Sequence, residues 1–164
     1  MEKLRNYDIS FSSLKLGNHS FKMAVGQSFF DLFEFDQEFK NPDIEVDIEL
    51  VKHSSFMELK LQTKGIITLT CDISDEEYEQ EIKNAIKVLV KFGEEYDDTN
   101  EAVLIIPVGS HSVNVAQLIY ESVVLSIPMK HVHPRYVEGY RDKYTDLLEK
   151  YSLSEEEREE ENNE

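Results

Sequence analysis

The stretch "DIEVDIELVK" (43–52) alternates without a break. Ile44, Val46, Ile48 and Leu50 share one face, and Glu45, Asp47 and Glu49 take the other. A β-strand sends successive side chains to opposite sides, so this stretch predicts a strand with one face on a core and one in water. "FMELKLQTKGIITLTCDI" (56–73) continues the pattern through Met57, Leu59 and Leu61. Gly65 interrupts it, which predicts a bulge or a bend. Upstream, Ile9 and Phe11, then Leu14 and Leu16, alternate with polar residues, and Gly17-Asn18 predicts a turn into a second strand through Phe21, Met23 and Val25. Between these strands "SFFDLFEF" (28–35) predicts a short helix, with Ser28 as its cap, Asp31 at the third helical position and Phe29, Phe30 and Phe33 on its apolar side. Asn41-Pro42-Asp43 reads as a breaker.

The second half is less regular. "SDEEYEQEIKNAIKVLVKF" (74–92) begins with helix formers and ends in alternation at Ile86, Val88, Val90 and Phe92, which predicts a strand from about Gln80. "EEYDDTN" (94–100) reads as a polar loop, and "AVLIIPV" (102–108) as a short buried strand ended by Pro107 and Gly109. "NVAQLIYESVVLSI" (114–127) predicts the clearest helix. Asn114 is its expected cap, Gln117 completes a capping-box pattern, and Val115, Leu118, Ile119 and Val123 form one stripe. Pro128 stops it. A weaker helix is expected over 140–151. Strands joined by short turns, then a long helix, give an α+β fold: a mainly antiparallel sheet, with barrel-like closure left open, packed by one short and one long helix. The expected division is residues 1–135 as the α+β domain, then 136–164 as a C-terminal helix and an acidic disordered tail.

Composition adds a sign to this picture. The 164 residues carry a net charge of −17, with 40% hydrophobic residues, enough for a core. From Ser154 to Glu164 there are seven Glu and one Arg, a net −6, which leaves −11 on the rest. Such a surface repels phosphate backbones and attracts cationic proteins. Binding to DNA or to a membrane is not expected. Direct RNA binding would need a local basic patch, for which Lys52, Lys60 and Lys64 are the candidates, interleaved with acids. The single cysteine, Cys71, permits no internal disulfide. The start "MEKLRNYDIS" has no apolar core of a signal peptide and carries acids early, so the expected compartment is the cytoplasm.

Candidate chemistry gathers at two places. "PMKHVHP" (128–134) sets His131 and His133 one residue apart just past a helix end, half of a metal site or an exposed linker. Cys71 would need a base and a polarised pocket to act as a nucleophile; a buried structural thiol is the plainer reading, with Asp72 accepting a hydrogen bond in a turn. No phosphate loop or dinucleotide fingerprint appears.

Three stretches, "GIITLTCDIS" (65–74), "VKFG" (90–93) and "NVAQLIYESVVLSIPMK" (114–130), resemble the YceD family, the large ribosomal RNA subunit accumulation proteins. The resemblance covers roughly residues 3–135. It rests on Gly65, Cys71 and Asp72, and on Glu121, Leu125, Pro128 and Lys130 as a Glu-x-x-x-Leu-x-x-Pro-x-Lys pattern. Many members carry Cys-Asp-x-Cys at the first motif and further cysteines after Pro-x-Lys, as if four thiolates bound zinc. Here Ser74 stands at the second cysteine, and His131 and His133 occupy the downstream region. The resemblance implies a non-enzymatic role, without cofactor, in accumulating large-subunit RNA. The expected partner is a basic ribosomal protein or a large-subunit precursor, with Glu121, Lys130 and Asp72 as contact residues. The competing expectation is a small metal-binding module or metal-dependent enzyme using Cys71, His131 and His133.

Overall fold

The computed structural model describes residues 3–100 and 102–134. The expected helix at 140–151 and the acidic tail lie outside them. The described residues fall into two compact units, 3–69 with 79–129, and 70–78 with 130–134.

A 3-10 turn, Leu4–Tyr7, opens the chain and leads into β1 (Asp8–Ser10). Then follow β2 (Gly17–Val25), α1 (Gln27–Phe30), β3 (Lys40–Lys52), β4 (Phe56–Thr70), β5 (Glu77–Gly93), β6 (Asp97–Asn100), β7 (Val103–Pro107), β8 (Ser112–Asn114) and α2 (Ala116–Ser126). One sheet has the order β2-β3-β4-β5-β7-β6, and a second pairs β1 with β8. Among the described residues the larger sheet has two unpaired edges, β2 and β6, so the barrel-like form is not adopted. It is also mixed. β2, β3 and β4 pair antiparallel, while β5 and β7 run parallel, because the chain passes to the outer edge as β6 before returning between them.

The expected inner face of β3 is borne out: Ile44, Val46 and Leu50 are 0% exposed and Ile48 1%. Met57, Leu59, Leu61, Thr63, Ile67 and Leu69 of β4 continue it. Gly65 does not break that phase, which corrects the expected bend. It sits on the core face opposite Ile44, where a Cβ would lie 2.7 Å from the Ile44 Cα and 3.0 Å from its Cγ1. The glycine admits close approach of the β3 backbone. The bulge lies instead in β3, between Lys40 and Asp43, where the expected breaker falls. Asn41 adopts φ 49°, and Pro42 has no N–H to place in the ladder.

Three further expectations are corrected. No hairpin joins β1 to β2: β1 pairs with β8, and the loop between is held by Lys52, whose Nζ donates to the carbonyls of Phe11 (2.8 Å) and Leu14 (2.9 Å). α1 is one residue past Gly26, not capped by Ser28; Asp31 stands at its C-terminal end and accepts from Gln27 Nε2 at 2.9 Å. β5 starts at Glu77 rather than Gln80. Phe29 and Phe30 are fully buried, as an apolar side requires.

α2 ends before Pro128, as expected. Its buried face is Ala116, Ile119, Ser122 and Val123, while Leu118 is half-buried. Val115, not the expected Asn114, is the N-cap of α2, and Asn114 stands one residue before it. Its Oδ1 accepts from the Ala116 N–H (3.0 Å), while its Nδ2 donates to Leu4 O (2.7 Å) and Asp8 Oδ1 (2.8 Å). One side chain thus starts α2 and ties it to the first turn of the chain. Gln117 donates to Glu121 instead of closing a capping box.

Candidate functional site

Glu121 lies on the exposed side of α2. Its Oε1 accepts from Gln117 Nε2 one turn earlier at 3.1 Å, which fixes the carboxylate's direction. It borders a groove of about 670 Å³ between α2 and the β5, β7 and β6 strands. The floor is apolar, from Ile86, Val88, Leu104 and Leu118. The rim carries Tyr96 and Asp98 on one side, Val124 and Leu125 on the other. Burial pushes the Tyr96 phenol above its ordinary pKa, and the charges of Asp98 and Glu121 push it further in the same direction. Two carboxylates therefore act on one hydroxyl. Lys87, also on the lining, pairs with Glu58 at 3.4 Å.

Sequence reasoning singled out Glu121 but missed Tyr96 and Asp98. β6 has no apolar residue and all four of its side chains are exposed, so no alternation marks it as a strand. The apolar run Val123-Val124-Leu125 was a usable signal. It is wider than one helical stripe, so part of it must face away from the sheet.

The second unit holds the other expected residues. Cys71 follows β4 directly and is fully buried, as a structural thiol would be. Its backbone makes a turn, with Cys71 N donating to Glu76 O (2.8 Å) and Asp75 N to Cys71 O (2.9 Å). The 130–134 segment pairs along it. Asp72 N donates to His131 O at 2.7 Å, His131 N to Asp72 Oδ2 at 3.0 Å, and His133 N to the Cys71 Sγ at 3.4 Å. His131 and His133 are half-buried rather than on an exposed linker. Burial pushes the Cys71 thiol up, but the His133 amide, the Ser74 hydroxyl and amide and the Ile73 amide outweigh it and lower the thiol from 9.0 to about 7. Tyr78, beside them, has its ring 5.6 Å from that of His133. Among the described residues its buried hydroxyl has no hydrogen-bond partner of good geometry. Burial, then the charges of Cys71 and Asp72, raise its pKa, which the Val132 amide partly offsets. Lys130 is exposed.

Asp72, Cys71, His131 and His133 are thus brought together, but the histidines take part through their main-chain groups, not their rings. Among the described residues no three His, Cys, Asp or Glu side chains converge as they would around an ion. Nor does the donor set fit four thiolates, since the chain has one cysteine. What the arrangement does is clamp two segments around a sulfur that accepts hydrogen bonds.

Residues 59–164 match the family described as large ribosomal RNA subunit accumulation protein YceD. The chain belongs to the YceD family. The match begins inside β4 and runs past residue 135, so it covers the Cys71 turn, α2 and Glu121, and leaves β1 to β3 outside. No curated protein matches the chain, and no solved structure does. In this YceD member Ser74, at the position that the resemblance gives to a second cysteine, contributes a hydroxyl that lowers the Cys71 pKa. No helix among the described residues is long and apolar enough to cross a membrane.

Proposed function

We infer that this chain is a non-enzymatic factor that supports accumulation of large-subunit ribosomal RNA by holding a basic ribosomal protein or a precursor particle. The family match carries the assembly role. The charge supplies the mechanism: −11 remains on the chain without its last eleven residues, and opposite charge speeds encounter with cationic proteins. Two of the three lysines that direct RNA binding would need are engaged elsewhere, and the third faces an acid. Lys52 is bonded to two carbonyls, Lys64 pairs with Glu45 at 3.9 Å, and Lys60 lies opposite Glu49 across the ladder. The work is done in the cytoplasm, where ribosomal proteins and RNA meet.

The test is loss of the chain in its native cells, followed by measurement of large- against small-subunit RNA, with a pull-down from native lysate using a tag without histidines. The expected result is a fall in large-subunit RNA and co-purification of large-subunit precursors. An unchanged RNA ratio, with no ribosomal component captured, would overturn the reading.

A further inference from the structure

α2 uses one face against the sheet and leaves apolar residues on another. Val124 is 40% exposed, Leu125 75% and, across the groove, Tyr96 56%. Such residues at the rim of a groove with an apolar floor mark a binding surface more readily than a solvated one. An aromatic shelf adjoins it: Tyr120, also on the lining, stacks on Phe33 with centroids 4.4 Å apart, and exposed Phe35 lies 6.2 Å from it.

The charge at this groove is one-sided. Asp98 and Glu121 both bear on the Tyr96 hydroxyl, and among the described residues no cation pairs with either carboxylate. The one lysine on the lining is held by Glu58. Three candidate occupants are then disfavoured on charge alone. RNA would bring phosphates against the two carboxylates. A second copy of this chain would bring another −17, and its own C-terminal segment, net −6, is repelled too.

We propose that the groove between α2 and β6 is the docking site for a cationic protein segment, seating an apolar side chain of that segment on Ile86, Leu118 and Leu125 while its Lys or Arg side chains meet Asp98 and Glu121. This deepens the assembly reading and rests on it for the identity of the partner. The apolar floor supplies affinity by removing surface from water, and the two carboxylates select the sign of the flanking side chains. Gln117 holds Glu121 in position for that contact.

The experiment uses the full chain and three labelled synthetic peptides: an Arg-Leu repeat, an Arg-Ser repeat of equal charge, and a Glu-Leu repeat. Fluorescence anisotropy gives affinities, and amide NMR shifts locate the site. The Arg-Leu repeat should bind tightest, with shifts at 96–98 and 117–125. The double variant Asp98→Asn with Glu121→Gln should weaken it by about tenfold, and Leu125→Ser by a comparable factor. Glu45→Gln with Glu81→Gln removes the same charge from exposed positions away from this groove, and should change affinity by less than about twofold.

Several results would overturn the proposal: no binding by the Arg-Leu repeat, equal binding by the Arg-Ser repeat, or equal loss in the control variant. The pull-down separates this failure from that of the assembly role. Precursor capture that survives the groove variants refutes the groove and leaves the role intact. Binding of the Arg-Leu repeat in the groove, with no precursor captured by the natural chain, does the reverse.

Discussion

Thr63 of β4 and Ser122 of α2 share a hydrogen bond of 2.9 Å between their hydroxyls, where they are 1% and 0% exposed. It joins the helix to the sheet inside the core. Each hydroxyl is the other's partner, so removing one strands the second. Ser122→Ala alone should cost about 1–3 kcal/mol, because the Thr63 hydroxyl is left buried and unpaired. Thr63→Val should cost less, since a helical serine can turn back to a carbonyl of the preceding turn and valine suits a strand. The double variant should lie nearer the natural chain than the sum of the singles. Denaturant unfolding of all four proteins measures this, and strict additivity would show that the bond contributes nothing.

At Gly65 the β3 backbone lies close against β4. An added Cβ meets the carbonyl oxygen of Asp43 and the Cα of Ile44, both main chain and unable to swing aside. Gly65→Ala should therefore destabilise by about 1–3 kcal/mol, the cost of overpacking. A stabilised alanine variant, as expected for a glycine in an unstrained strand, would contradict the close approach.

These two positions also show what the sequence could convey. The inner face of β3 was legible because one side of the strand is wet and the other dry, so hydropathy follows the pleat from Ile44 to Leu50. Gly65 was visible but not interpretable: a glycine in a strand marks a bend and a close approach alike, and only the partner strand distinguishes them. The first half of β5 was obscured by Glu77, Glu79 and Glu81 at solvent-facing positions, where helix formers do no harm to a strand held by its neighbours, and by the polar Gln80 between Tyr78 and Ile82 on the inner face. The parallel pairing of β5 with β7 depends on β6 occupying the edge, and β6 carries no hydropathy signal at all. At the candidate sites, Glu121 and the Cys71 turn were found by motif. The opposite wall of the groove and the main-chain clamp on the sulfur depend on pairings that no local pattern encodes.

The clamp on Cys71 has a consequence in pH. Its thiol titrates at about 7 in the folded chain, against 9.0 for the ordinary group. A depressed folded pKa means that the thiolate favours folding. The gain is fully present above the unfolded pKa and is lost as pH falls through about 7. The stability of the natural chain relative to Cys71→Ser should thus rise with pH from about 7 to about 9. Ultraviolet absorbance of the thiolate should show the same midpoint. A midpoint at or above the ordinary value would mean that the amides of His133, Ser74 and Ile73 do not outweigh burial.

The charge proposed to attract a cationic partner can be located by deletion. Removing residues 154–164 takes away a net −6 and leaves −11. If the folded body makes the contact, as proposed, most of the affinity for a cationic ribosomal protein survives the deletion. Added salt should weaken binding to both versions, since exposed charges are screened over about 8 Å at physiological ionic strength. The two salt slopes should be similar, because charges outside the contact contribute little beyond a screening length. A salt-resistant remainder should persist, carried by the apolar floor beside Leu118 and Leu125, and it should shrink in Leu125→Ser. Titrations of basic ribosomal proteins and of bare ribosomal RNA, at two salt concentrations, give all of these quantities. Complete loss on deletion would move the contact to the C-terminal segment. Tighter binding to RNA than to every protein tested would remove the protein-holding mechanism and leave the family's link to large-subunit RNA in place.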